Sequence, residues 1–168
     1  MLRTRRSWSI LGSLSFLAGL VLLVGCQSQN SQSQNQQQAP PPLPQNELAI
    51  ENPWVEPAPS GSTSALYMTI ANGRQSPDTL LRVRAPIVGS SNVYAPPSDT
   101  ASSLVERSTL AIPSRTRLAL QPGSTHVKLG NLGQSLDAGS TPILNLEFAQ
   151  SGLQRVRVPV RASPPNSQ

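Results

Sequence analysis

In the stretch QPGSTHVKLGNLG, residues 121–133, a histidine and a lysine stand two positions apart. His126 is the sole histidine of this 168-residue chain, and Lys128 is its sole lysine. An imidazole can ligate a metal ion or carry a proton near neutral pH. The third possibility is an ordinary polar side chain on a sheet surface. Partners for coordination are scarce. Beyond the first residues the chain offers one methionine, Met68, and one cysteine, Cys26. Met68 alternates with Leu66 and Ile70, which marks it as core filling. An ammonium at Lys128, on the same strand face as His126, opposes a cation there. One chain therefore cannot assemble three soft ligands.

Covalent and acid–base catalysis find little to work with. Serines are plentiful, but no G-x-S-x-G places one on a strained elbow beside His126. No glycine-rich phosphate loop follows a strand. The eight acids are scattered rather than paired for glycoside chemistry. The chain is read as a non-enzyme.

Residues 1–25, MLRTRRSWSILGSLSFLAGLVLLVG, carry a basic head, an apolar run and small residues, the pattern of a secretory signal. With Cys26 the end reads LVGC, which resembles the lipobox of bacterial lipoproteins. Cys26 is then the lipid attachment point, and acyl chains hold the exported domain at a membrane surface. The competing reading is an uncleaved membrane helix, for which Trp8 to Gly25 is barely long enough. Gln27, where an aspartate often signals inner-membrane retention, leans towards an outer membrane. Residues 26–46 are rich in Gln, Ser and Pro and cannot bury apolar surface, so they are expected to form a disordered tether. A disordered tail is expected over 163–168. Localisation is thus exported and membrane-anchored, facing the periplasm or cell exterior.

The formal charge of +5 overstates how basic the exported part is, because Arg3, Arg5 and Arg6 lie in the signal. No arginine run interleaves with aromatics, so nucleic-acid binding is not expected.

Seventeen prolines and few aromatics suit a turn-rich β fold. SALYMTIAN turns Leu66, Met68 and Ile70 to one face. TLLRVRA puts Leu81, Val83 and Ala85 opposite Arg82 and Arg84. TRLALQ sets Leu118 and Leu120 against Arg117. PILNLEF alternates from Ile143 to Phe148. LQRVRVPVR turns Val156, Val158 and Val160 inward and Arg155, Arg157 and Arg161 outward. Pro159 inside that last run predicts an edge strand or a bulge. Trp54, Tyr67 and Phe148 read as core anchors, although Trp54 could also serve as a ligand platform. Short strands separated by NGRQSPD, APPSD, PGS and DAGS predict an all-β Greek-key sandwich over residues 47–162.

The order of these pieces, IENPWVEPAPSGSTSALYMTIAN, then DTLLRVRAP, then PGSTHVKLGNLG and LNLEFAQSG, resembles the periplasmic copper chaperones called PCu(A)C. The resemblance covers residues 48–160. It implies a cupredoxin-like β-sandwich that holds Cu(I) and passes it to a respiratory oxidase copper-site subunit or another envelope protein. The family's ligand pattern is His–Met–His–x–Met, a soft set suited to Cu(I). Carried onto this chain, the first ligand falls on Tyr94 or Val93 and the second on Leu104 or Val105. The third is His126 and the fourth falls on Lys128. Three of four positions have lost their ligand. His126 is then the remnant of a copper site, a weak ligand for Cu(II) with oxygen help, or a half-exposed histidine.

The arginines offer a different reading. Arg82 and Arg84, Arg115 and Arg117, and Arg155, Arg157 and Arg161 would form a basic surface if their strands share a sheet. Such a face could dock a protein or an anionic polymer. The plainer reading is a solvated face whose charges guard a sheet edge.

Overall fold

A computed structural model describes residues 41–97 and 103–165. The signal segment, Cys26, most of the tether and the end of the tail lie outside the described residues. The strands are β1 (Leu48–Val55), β2 (Ser64–Asn72), β3 (Asp78–Arg84), β4 (Val88–Ala95), β5 (Val105–Arg107), β6 (Leu110–Ile112), β7 (Thr116–Leu120), β8 (His126–Leu132), β9 (Ile143–Phe148) and β10 (Gly152–Arg157). All ten fall in one compact unit, Pro40–Gln168.

The strands form two antiparallel sheets. One runs β1-β2-β8-β4-β5, with β7 also paired to β2; the other runs β10-β9-β3-β6. Strand β2 reaches two partners on one edge because it is long. Ser64 to Leu66 pair with β8, and Met68 to Asn72 pair with β7. The turn between β7 and β8 is closed by the Gln121 and Ser124 N–H groups, which donate to Thr125 and Gln121 carbonyls. Gly123 supplies its positive φ of 74°.

Leu66, Met68, Ile70, Val93, Val127 and Leu129 from one sheet face Leu80, Val83, Ile112, Leu144, Leu146 and Phe148 from the other in one core. Each fully buried Leu or Ile there contributes about 1.5–3 kcal/mol of apolar burial. The two-sheet sandwich therefore follows from the alternation visible in the sequence.

Two local expectations need correction. In TLLRVRA the buried pair is Leu80 and Val83, and Leu81 is only half-buried. A register shift between Leu80 and Arg82 against β9 breaks the simple alternation and resets its phase. Strand β10 is the edge strand that Pro159 predicts, but Pro159 itself lies two residues beyond it rather than inside it. The chain there leaves one sheet and joins the other, with Val160 bridged in parallel to Val55. The Val55 N–H donates to the Pro159 carbonyl and the Arg161 N–H to the Val55 carbonyl, so the missing proline N–H is never needed. Val158 and Val160 still point into the core.

Candidate functional site

An aromatic row on the outer face of the six-stranded sheet

The strand register places four rings in a line across β1, β2, β8 and β4. Trp54 lies opposite Tyr67, and Tyr94 opposite His126. A second bulge makes this possible. Between Glu51 and Trp54 the register shifts, with Asn52 in the left-handed region at φ 49°. Glu51 and Trp54 consequently face the same side although three residues separate them. Successive ring centroids are 4.5 Å apart for Trp54 and Tyr67, 6.0 Å for Tyr67 and His126, and 5.6 Å for His126 and Tyr94.

Trp54 and Tyr67 are thus buried, but they do not join the shared core as expected; only Phe148 does. They pack on each other on the opposite face of the sheet. At 5% exposure Trp54 offers no open platform to an external ligand. The Tyr67 hydroxyl donates to Glu56 Oε1 at 2.9 Å. Burial first, then that bond and the Glu56 charge, push the phenol up to about 12.

His126 is half-buried, and its Nδ1 sits 2.8 Å from the Ser124 carbonyl. A carbonyl can only accept, so Nδ1 carries the proton and neutral His126 presents the lone pair of Nε2. The Tyr94 ring lies nearly parallel to the imidazole, at 9°. The Lys128 ammonium sits over the same ring, 5.4 Å from its centroid. The Tyr94 ring thereby touches both His126 and Lys128.

From β5 the residue that reaches this cluster is Glu106. It lies opposite Tyr94 in the register and accepts from the Tyr94 hydroxyl at 2.9 Å and from Asn92 Nδ2 at 2.6 Å. Its bond to Tyr94, with some burial and its charge, raises that phenol as well. Of the sequence alternatives, Val93 points into the core and Tyr94 shares the face of His126. Val105 lies opposite core-facing Ala95, and Leu104 falls just before β5. Positions Tyr94, His126 and Lys128 therefore converge, whereas neither Leu104 nor Val105 makes a contact in the cluster. Sequence reading missed Glu106 and Asn92; the signal for Glu106 was its charge one residue from the position assigned to a ligand. Met68 is buried in the core on the other side of the sheet. Among the described residues no three His, Cys, Asp or Glu side chains gather as a metal-binding group.

The arginines divide between the sheets. Arg82, Arg84, Arg155 and Arg157 share the outer face of the four-stranded sheet. Arg117 belongs to the other sheet and forms a two-pronged pair with Glu51, at 2.8 and 3.0 Å. Arg115 and Arg161 lie outside the strands.

Relation to known proteins

Residues 48–160 match the model of the family described as LpqE-like lipoproteins. No curated protein matches the chain. Among solved structures, the copper-bound PCuAC domain from PmoF2 superposes with a TM-score of 0.62 at 22% identity, over 71% of this chain and 97% of that one. The apo PCuAC domain from PmoF1 gives 0.60 at 23%, over 71% and 98%. Cu(I)-bound DR1885 from Deinococcus radiodurans gives 0.57 at 24%, over 77% and 86%. At these identities the likeness is one of fold, and it bears out the PCu(A)C resemblance read from the sequence. The chain therefore belongs to the LpqE-like family, and its sandwich shares the fold of the PCuAC domains.

Proposed function

We propose that this chain is a copper-chaperone-type envelope lipoprotein whose Cu(I) site has been rebuilt as an aromatic and ionic cluster, so that it holds cuprous ion weakly or not at all. In this reading residues 1–25 are a lipoprotein signal and Cys26 is the lipidated N-terminus. Residues 26–46 tether a domain of residues 47–162 to a membrane, residues 163–168 form a short tail, and the protein acts outside the cytoplasm without catalysing a reaction. A copper-site subunit of a respiratory oxidase, or another envelope protein, is the partner class.

The observation that carries the reading is the packing of the Tyr94 ring against both His126 and Lys128. Copper would be cargo here, and the residues do not fit its cuprous form. Cu(I) takes thioether, thiolate and imidazole donors. The cluster offers one imidazole nitrogen, a phenol, an ammonium and a carboxylate already engaged by Tyr94 and Asn92. A single imidazole with oxygen donors suits Cu(II) better than Cu(I).

The test is competition for Cu(I) against a chelator, using a chain that begins at Pro40 and its His126→Ala variant. Both are expected to surrender the ion to a chelator of sub-nanomolar strength. Stoichiometric, sub-nanomolar uptake that vanishes in His126→Ala would overturn the rebuilt site and restore an active chaperone.

A second reading keeps the fold as an interaction module that docks a protein or anionic polymer through its arginine-bearing sheet. Four arginines on one outer face favour it.

A further inference from the structure

The outer face of the four-stranded sheet is built in rows. Leu153 of β10 lies opposite Glu147 of β9, which lies opposite Arg82 of β3. In the next row Arg155 and Arg84 flank Asn145, about 10 Å apart across two strand spacings. Beyond them Arg157 lies opposite Ile143.

The charge on this face is uneven. Glu147 pairs with Arg82 at 2.7 Å and reaches Arg84 at 3.5 Å. Arg155 and Arg157 form no ion pair with any described residue. Four guanidinium groups thus share one carboxylate. On the other sheet Arg117 is matched by Glu51.

The apolar surface falls in the same place. Leu153, at 60%, and Ile143, at 38%, are two of the three large hydrophobic side chains left exposed among the described residues. Both stand among the arginines. Guanidinium forks match phosphate oxygens, and an aliphatic side chain beside them can enter the acyl boundary. A solvated face that only guards a sheet edge has no use for an exposed leucine between its charges.

We infer that the outer face of the β10-β9-β3 sheet docks on an anionic lipid bilayer, with Arg84, Arg155 and Arg157 on the headgroup phosphates and Leu153 and Ile143 at the acyl boundary. The inference rests on the second reading's docking face and gives it a bilayer in place of a protein or polymer; it is independent of copper.

Sedimentation with vesicles tests it, using the chain from Pro40, which holds all ten strands and lacks the apolar N-terminal run. Vesicles of phosphatidylcholine with about one-third phosphatidylglycerol are compared with phosphatidylcholine alone. Binding is expected only to the anionic vesicles, and it should fall as salt rises. Each arginine near such a surface is worth about fivefold, so Arg155→Glu with Arg157→Glu should weaken binding at least about twentyfold. Arg107→Glu, a charge reversal in β5 of the other sheet, should change it by less than about twofold. Leu153→Asp should weaken it without altering the melting curve. Equal binding to both vesicle types, or an equal loss from Arg107→Glu, would overturn the inference. Binding to soluble polyglutamate but not to vesicles would sink the lipid partner and leave the docking module standing. Binding to neither would remove both.

Discussion

The ring of Tyr94 stacks on the imidazole of His126 with centroids 5.6 Å apart and planes 9° from parallel. The PCu(A)C resemblance assigns a ligand to His126 and to Tyr94 or its neighbour Val93, and the strand register sets Tyr94 and His126 side by side. Under the proposed reading of a rebuilt Cu(I) site, soft donors placed here should restore affinity. Tyr94→His with Lys128→Met removes both the stacked phenol and the ammonium and supplies an imidazole and a thioether. Glu106→Met adds a third donor from β5. Each gained ligand is expected to tighten Cu(I) by more than about tenfold in chelator competition. No gain from the triple variant would show that the backbone no longer converges on a cuprous geometry.

Asp78 should govern acid stability. It is buried at the start of β3, where its carboxylate accepts the Ser151 hydroxyl at 2.6 Å and the N–H groups of Gln150 and Ser151 at 2.8 and 2.9 Å. Its own neighbour Thr79 donates a fourth bond at 2.7 Å. Burial pushes the carboxyl up, but the Ser151 hydroxyl and the three N–H groups outweigh it and hold the group below its ordinary value of 3.8. A depressed folded value stabilises the fold above the unfolded value, and the contribution is lost as pH falls through the folded one. The melting temperature is therefore expected to drop below about pH 4. Asp78→Ala should cost about 2–4 kcal/mol at neutral pH and flatten the acid limb of the profile. An acid limb unchanged in that variant would assign the loss to other carboxylates.

Period-2 alternation made much of this molecule legible before any coordinates. Val156, Val158 and Val160 face inward, and Leu144, Leu146 and Phe148 alternate out of phase with Asn145 and Glu147, as their spacing demands. What alternation cannot show is a place where a strand gains a residue. The bulge at Asn52 turns Trp54 away from the core, and the shift after Leu80 exchanges Leu81 for Leu80. The mistaken placements of Trp54 and Leu81 trace to those two irregularities. At the candidate site, residue types alone showed how few soft donors the chain offers. The stacking of Tyr94 and the role of Glu106 depend on pairing across three strands, which spacing along one strand does not encode.

The two tyrosines give an alkaline counterpart. Tyr67 and Tyr94 are the chain's only tyrosines, and both phenols are raised above 10, Tyr67 to about 12. A raised folded value favours the native state below the unfolded value, and the advantage disappears as pH climbs through the folded one. Tyrosinate absorbance at 295 nm should therefore stay low in the native domain at pH 10 and rise at higher pH, whereas the urea-unfolded chain should be half-ionised near pH 10. Half-ionisation of the native domain at pH 10 would mean that the hydrogen bonds to Glu56 and Glu106 do not persist in solution.

Asn72 ties the turn into β3 to the turn between β6 and β7, beside a single backbone bond from the Arg115 N–H to the Arg74 carbonyl. It is fully buried at the end of β2, where Nδ2 donates to the carbonyls of Ser76 and Pro113 at 3.1 and 3.0 Å and Oδ1 accepts the Arg74 N–H at 3.0 Å. The first contact closes the loop into β3, and the second reaches the turn between β6 and β7. Asn72→Ala would strand two carbonyls and an N–H out of reach of water, at an expected cost of about 2–4 kcal/mol. Asn72→Asp keeps the shape but sets a buried carboxylate against two carbonyl oxygens, so it should be the more damaging of the two. The urea midpoint should fall in that order at an unchanged denaturant slope. An aspartate variant as stable as the native chain would show that water, not Asn72, satisfies those carbonyls.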